Sequence, residues 1–176
     1  MMKYDERTEK TLEHIKEYYG GIPTTYTAMA DAGVVSRVWS LSAPTFFTRN
    51  ATDEDKRICA AVVGHTIGSE RLVEAHYMIM KRMGWSREEL EGLLSENYPK
   101  RMTEKQSLFA KLAKTMAINP IEADETIIES VKKVASKEEI AEIIALIAFV
   151  RYTSTFIGFY GQTENEEWVK HLKIQD

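Results

Sequence analysis

Apolar residues recur along this chain at intervals of three and four, the spacing of one helical face, with hardly any alternation of the kind strands require. After Ser69, the residues Leu72, Val73, His76, Ile79, Met80 and Met83 form an inward stripe, and Glu70, Glu74, Tyr77 and Lys81 lie outside it. Upstream, Ile58, Cys59, Val62, Val63, Thr66 and Ile67 make a broad stripe opposed by the small residues Ala60, Ala61, Gly64 and Gly68. Such a helix can be approached closely on both sides, which predicts a place in the middle of the fold. The segment 137–159 is similar: Ile140, Ile143, Ile144, Ile147 and Val150 make one ridge, Ala141, Ala145 and Ala148 another.

Capping signals place the helix starts. In a capping box a side-chain oxygen takes a free N–H of the first turn while the residue three positions on reaches back. Ser86 with Glu89, Thr103 with Gln106 and Ser136 with Glu139 have this spacing, and Thr52 with Asp55 is a weaker version. Gly20-Gly21 and Asn119-Pro120 are stops. The expected helices are 3–19, 24–31, 34–46, 53–67, 70–83, 87–94, 104–117, 122–134 and 137–159, with a short one near 164–171. The expectation is one all-α domain over 1–176, the link from Tyr98 to Thr103 at most separating two helical layers.

Composition narrows the function classes. A formal charge of −4, a pI near 5.7 and no basic stripe argue against nucleic acid as a partner. The charged opening residues do not resemble a secretory signal, and the apolar run Ile140–Val150 is too short for a bilayer before Arg151 interrupts it. A single cysteine, Cys59, excludes an internal disulfide and fits a reducing compartment. The reading is a cytoplasmic protein without membrane or nucleic-acid partners. The dispersed histidines His14, His65, His76 and His171 give no ligand pair on one helical face, and no phosphate loop or dinucleotide fingerprint occurs. Neither metal nor cofactor is expected.

From about Tyr19 to Gly158 the chain resembles the superfamily of alkylhydroperoxidase D and carboxymuconolactone decarboxylase. The residues that carry the resemblance are Gly20-Gly-Ile-Pro23, the stretch Ala43 to Asp55 running into Asp55-Lys-Arg-Ile-Cys-Ala-Ala-Val-Val-Gly64, the helix with His76, and Gly84-Trp-Ser-Arg-Glu-Glu-Leu90. Ser107-Leu-Phe-Ala-Lys-Leu-Ala113 and Ile140 to Phe156 match the later helices. The resemblance implies an all-helical fold that assembles into trimers, hexamers or related oligomers; two helices with more than one packable face agree with that.

At the site the resemblance is partial. The peroxidase branch has two cysteines spaced by two residues, a histidine four positions after the second, and an upstream glutamate. His76 matches the histidine, but Ser69 and Leu72 stand where the cysteines would be, Arg57 where the glutamate would be, and Arg71 replaces a histidine often found between the cysteines. A disulfide relay needs an attacking and a resolving thiol, so the thiol route is excluded. The decarboxylase branch carries a Glu-Trp pair just before its histidine; here it is Leu72-Val73.

The residues left to carry chemistry are few. His76 is either a satisfied core histidine or a proton-transfer group titrating near neutral pH. Arg57 either anchors a substrate carboxylate or pairs with an outer one. Ser69 reads first as an N-cap and only second as a nucleophile. Arg71 would help place a negative charge. Glu70, beside the helix dipole, is mainly a solvated residue. His65 either lines the same cavity or ends its helix, and Leu72 and Arg151 complete the expected pocket. The hydroxyls of Thr153, Ser154 and Thr155 either line it or bond back to the preceding turn. Cys59 lies on a core stripe. The function expected is acid–base chemistry on a small, anionic organic molecule, without a thiol. The alternatives are a non-catalytic ligand-binding or scaffold oligomer and, last, an antioxidant protein working through Cys59 alone.

Overall fold

A computed structural model of the chain describes residues 3–121 and 123–160. Among the described residues the regular structure is entirely helical: α1 (Glu6–Tyr19), α2 (Thr24–Asp31), α3 (Val35–Phe47), α4 (Asp53–Thr66), α5 (Glu70–Arg82), α6 (Arg87–Leu94), α7 (Glu104–Ile118), α8 (Glu125–Val134) and α9 (Lys137–Tyr160). The helix expected near 164–171, and His171 within it, lie outside the described residues.

The boundaries follow from local chemistry. The capping boxes at Thr52/Asp55, Ser86/Glu89 and Thr103/Gln106 are made in both directions, and Ser136 and Glu139 exchange the same two bonds. Helix α1 starts at Glu6 rather than at residue 3 because the Asp5 carboxylate accepts the Thr8 N–H and fixes the N-cap there. Likewise α8 starts at Glu125 rather than 122, where Asp124 accepts from Thr126 N.

Helix α4 is the centre. Every residue from Asp55 to Gly64 is buried, and the helix is flanked by α5, α6, α7 and α9. The small face does what its composition predicts: a Cβ on Gly64 would lie 3.2 Å from Leu72 Cβ, so α5 packs at a distance only glycine permits without adjustment. Helices α1, α2 and α3 close one side with Tyr18, Tyr19, Tyr26 and Trp39, whose rings meet largely edge to face, with centroids 4.7–6.3 Å apart.

Helix α9 lies across α2, α3, α4 and α7. Ile143, Leu146, Ile147 and Val150 form its inner ridge, while Ile144 turns outward with the alanines instead of joining that ridge. The whole helix is longer than its apolar run suggested and is, by length and composition, sufficient to cross a bilayer. Here it is a packing helix of the bundle, and it carries an ion pair inside the fold. Glu142 meets Lys56 of α4 at 2.6 Å, with both side chains at most 4 % exposed. Glu142 Oε2 also accepts the Asn50 and Ala51 N–H groups, and Lys56 Nζ donates to Thr48 O. Burial alone would raise the Glu142 pKa; its bonds to Lys56, Thr48 and Ala51 outweigh that and hold it below the ordinary carboxylate range. A second charged cluster joins Lys105 to Asp55 and Glu139.

Tyr77, expected outside the α5 stripe, is buried. The Arg87 guanidinium lies 4.0 Å over its ring while pairing with both Glu74 oxygens, so a stacked cation replaces solvent on that face.

Candidate active site around His76

The corner between α4 and α5 decides which side chains face inward. Gly68 adopts φ +74°, its N–H bonds His65 O, and Ser69 N–H bonds Gly64 O, the two bonds of a Schellman C-cap. Ser69 thus spends its backbone N–H on α4 while already standing as N-cap of α5. Its ψ is 83°, far from the 158–165° of the capping-box residues Thr52, Ser86 and Thr103, and its side chain makes no capping bond. The cap expected at Ser69 is present in position and absent in hydrogen bonding.

Two turns further on, His76 points into a cavity of about 80 Å³ between the α1–α2 turn, α4, α5 and α9. Leu72, Ala75 and Ile79 of α5, Arg57 of α4, Tyr19, Thr25 and Tyr26 of the α1–α2 region, and Phe149, Val150, Thr153 and Ile157 of α9 line it. The lining is mostly apolar, and its polar members are few and close together. The Tyr19 and Tyr26 hydroxyls are 3.4 Å apart. Arg57 is 3 % exposed and hydrogen-bonds to the Tyr18 hydroxyl.

His76 is 8 % exposed, and its Nδ1 is buried with no hydrogen-bond partner among the described residues. Burial first, and the Arg57 charge second, push its pKa from 6.5 down to about 3. The expected titration near neutral pH is therefore corrected: in the free protein the imidazole is neutral throughout the physiological range. Burial likewise raises Tyr26 to about 12 and Tyr19 well above the ordinary tyrosine value.

Of the residues singled out from sequence, the fold brings His76, Arg57 and Leu72 together on this cavity. Ser69, Glu70 and Arg71 instead line a separate outer groove with Ser154 and Gly158, because the Schellman corner turns the start of α5 away from α9's inner face. Ile157 borders both spaces. His65, at the end of α4, is exposed and faces a third groove with Tyr98, Glu96 and Lys114. Arg151 ties α9 to α7 by donating to Met116 O at 3.2 Å. Of the three hydroxyls after it, all bond back to the preceding turn, and Thr153 also lines the cavity. Sequence reasoning missed Tyr19, Thr25 and Tyr26. Tyr19-Gly20-Gly21-Ile22-Pro23 reads as a helix stop, and only tertiary packing shows that the stop delivers two phenols to the site.

Cys59 is fully buried; its thiol donates to Phe109 O at 3.7 Å, and burial pushes its pKa up. It is a core residue held as a neutral thiol. Among the described residues no group of three or more His, Cys, Asp or Glu side chains is arranged to hold a metal ion.

No family model matches the sequence, and no curated protein is detectably similar to it. Solved structures share its fold. An uncharacterized peroxidase-related protein from Silicibacter sp. TM1040 superposes with a TM-score of 0.75 at 17 % identity, over 98 % of this chain and 92 % of that one. The debrominase Bmp8 gives 0.75 at 14 % identity over 96 % and 92 %, and a cysteine-to-alanine variant of it in complex with 2,3,4-tribromopyrrole gives 0.76. An alkylhydroperoxidase core protein from Ralstonia eutropha JMP134, also peroxidase-related, gives 0.75 at 13 % identity over 94 % and 89 %. The chain has the alkylhydroperoxidase D-like helical fold. With one cysteine in its sequence, it has that fold without a cysteine pair.

Proposed function

We propose that this protein is an enzyme performing acid–base chemistry on a small organic anion held between Arg57 and His76. The observation that carries the reading is a buried imidazole nitrogen without a partner among the described residues, on a cavity that also holds a buried guanidinium. Stability alone disfavours that pairing, since an unpaired buried polar group costs about 1–3 kcal/mol. Retaining it is the pattern expected where a ligand supplies the missing partner.

The electrostatics favour this division of roles. Arg57 offers charge-assisted hydrogen bonds to a carboxylate. The carboxylate cancels the positive field that, with burial, keeps His76 a weak base, so its pKa rises when ligand is bound. His76 then accepts a proton from the ligand or a polarised hydroxyl and returns it. The substrate thereby activates its own base, and a free site does not protonate at neutral pH.

The test is a panel of short carboxylic, hydroxy and keto acids in D₂O, followed by NMR for C–H exchange and product formation. Turnover should fall roughly 10²–10⁴-fold in His76→Gln. Ligand binding with no exchange or turnover across the panel would replace this reading with that of a non-catalytic binding protein.

The protein is further proposed to work as a homo-oligomer, a trimer or hexamer. On α9, Ala141, Ala145, Ala148, Tyr152, Thr155 and Phe159 are exposed and uncharged, and they succeed one another in steps of four and three. That is the seam spacing by which helices pair along their length, and a second copy of α9 is self-complementary to it.

A further inference from the structure

We infer that the Tyr19 hydroxyl is a second catalytic group of the His76 cavity, and that the anion taken there is a 2-oxo acid, enolised at C3 while its carbonyl oxygen accepts from that phenol. The inference rests on the acid–base reading proposed above and adds to it a residue and a substrate class. Two phenols carry it. Tyr19 and Tyr26 are both 5 % exposed, both line the cavity with His76 and Arg57, and their hydroxyl oxygens stand 3.4 Å apart. Tyr26 also bonds Ser42, whose own hydroxyl donates to Trp39 O at 3.3 Å. With the Ser42 proton committed there, Tyr26 donates to Ser42, and its oxygen is left as an acceptor for Tyr19. A good O–H···O bond is about 2.7–2.8 Å long, so Tyr19 holds Tyr26 by a weak one. A carbonyl oxygen in the cavity offers the Tyr19 proton a better acceptor.

Arg57 fixes where that carbonyl sits. It is the single cation among the described residues lining the cavity, so it takes the carboxylate. A neutral phenol suits a neutral oxygen that becomes negative only during reaction. The Arg57 charge is felt by His76, Tyr19 and Tyr26 alike, which puts the carboxylate seat beside the phenols. A carbonyl directly adjacent to the carboxylate meets both. The base is Nδ1 of His76, in the tautomer protonated at Nε2, and no described residue occupies it. The C3–H bond breaks and its proton passes to Nδ1. The electron pair left behind forms the C2–C3 double bond, and the carbonyl π pair moves onto the oxygen that Tyr19 holds. Return of a proton to C3 restores the acid, so no co-reactant is consumed.

The experiment follows C3 proton exchange of 2-oxobutanoate by NMR in D₂O with the full chain, beside 4-oxopentanoate, whose carbonyl lies two carbons further from the carboxylate. Butanoate, which has no carbonyl, serves as a binding probe. 2-Oxobutanoate should exchange its C3 protons catalytically, and 4-oxopentanoate roughly tenfold or more slowly. Tyr19→Phe keeps the ring and its edge contact with Tyr18. It should lower kcat for exchange roughly 10²–10³-fold, the loss typical of one oxyanion donor, with KM and butanoate affinity little changed. Tyr26→Phe removes the resting partner and not the donor, so its loss should be smaller. Undiminished exchange in Tyr19→Phe, or a loss matched by weaker butanoate binding, would overturn the role of Tyr19. Exchange of 4-oxopentanoate as fast as that of 2-oxobutanoate would overturn the substrate class. Turnover confined to acids without a 2-oxo group would do the same and leave the acid–base reading standing, whereas no exchange or turnover with any acid would end both.

Discussion

Removing one member of the Lys56–Glu142 pair gives the sharpest test of how the bundle is held together. In Lys56→Met a side chain of similar length loses its charge and its bond to Thr48 O. Glu142 then keeps two backbone donors, Asn50 N and Ala51 N at 3.1 and 3.2 Å, but no cation. Its side chain is 4 % exposed, so water cannot replace the ammonium. Breaking a buried pair from one side costs about 3–5 kcal/mol, which for a domain of this size is a fall of roughly 6–20 °C in Tm. Lys56→Met/Glu142→Gln should recover most of the loss, because the amide oxygen still serves the two N–H groups without a charge to desolvate. Acidity provides a second readout. Glu142 is held below its unfolded value in the intact protein, so its contribution is present above about pH 4.3 and is lost as pH falls through the lower folded value. In Lys56→Met burial acts unopposed by the ammonium, the folded value rises above the unfolded one, and mild acid should stabilise the variant. Thermal and urea unfolding of the two variants between pH 4 and 8 measures both effects. A Tm change below about 2 °C in Lys56→Met, or a double variant no better than the single, would refute the reasoning.

The other predictions follow from the site and the surface. His76→Leu should be neutral or stabilising by about 1–2 kcal/mol in the ligand-free protein, because it removes an unsatisfied nitrogen. The folded pKa of His76, about 3, lies below the unfolded 6.5. Its contribution is therefore full above pH 6.5 and lost as pH falls through that window, and the difference between wild-type and His76→Leu unfolding curves at pH 4–7 should show this slope. Cys59 should resist alkylation until the protein unfolds, and the chain should not reduce hydroperoxides with a dithiol; rapid labelling of folded protein would contradict its burial. Light scattering should show a trimer or larger that Ala148→Glu, on the exposed α9 seam, converts to smaller species with helical content intact.

Much of the fold was legible in the sequence because its determinants are local. Four capping pairs, the stops at Gly20-Gly21 and Asn119-Pro120 and the 3.6-residue apolar period placed the nine helices among the described residues to within about three residues at their ends. Gly64 and its small neighbours announced a close helix approach, and Leu72 supplies it. What was not legible depends on partners far along the chain. Tyr77 has the composition of an outer position and becomes buried because Arg87 folds back over it. Lys56 and Glu142 come together only where α4 and α9 meet. The candidate site divides the same way: His76 and Leu72 lie on one helical stripe and Arg57 has a family counterpart, whereas Ser69, Glu70 and Arg71 seemed adjacent by sequence and are turned to the outer groove by one left-handed glycine.

The Lys56–Glu142 pair also has a kinetic side. Glu142 reaches back 92 positions to take the Asn50 N–H, so its shell of donors is complete only after α9 has docked. Neither ion can leave water before the other arrives, which puts their contact on the native side of the folding barrier. Interactions made that late hold the native state in place by slowing escape and do little to hasten arrival. The pair therefore acts on the lifetime of the folded chain more than on the speed of its formation, and lifetime is what decides how often a protein is exposed to proteolysis or aggregation.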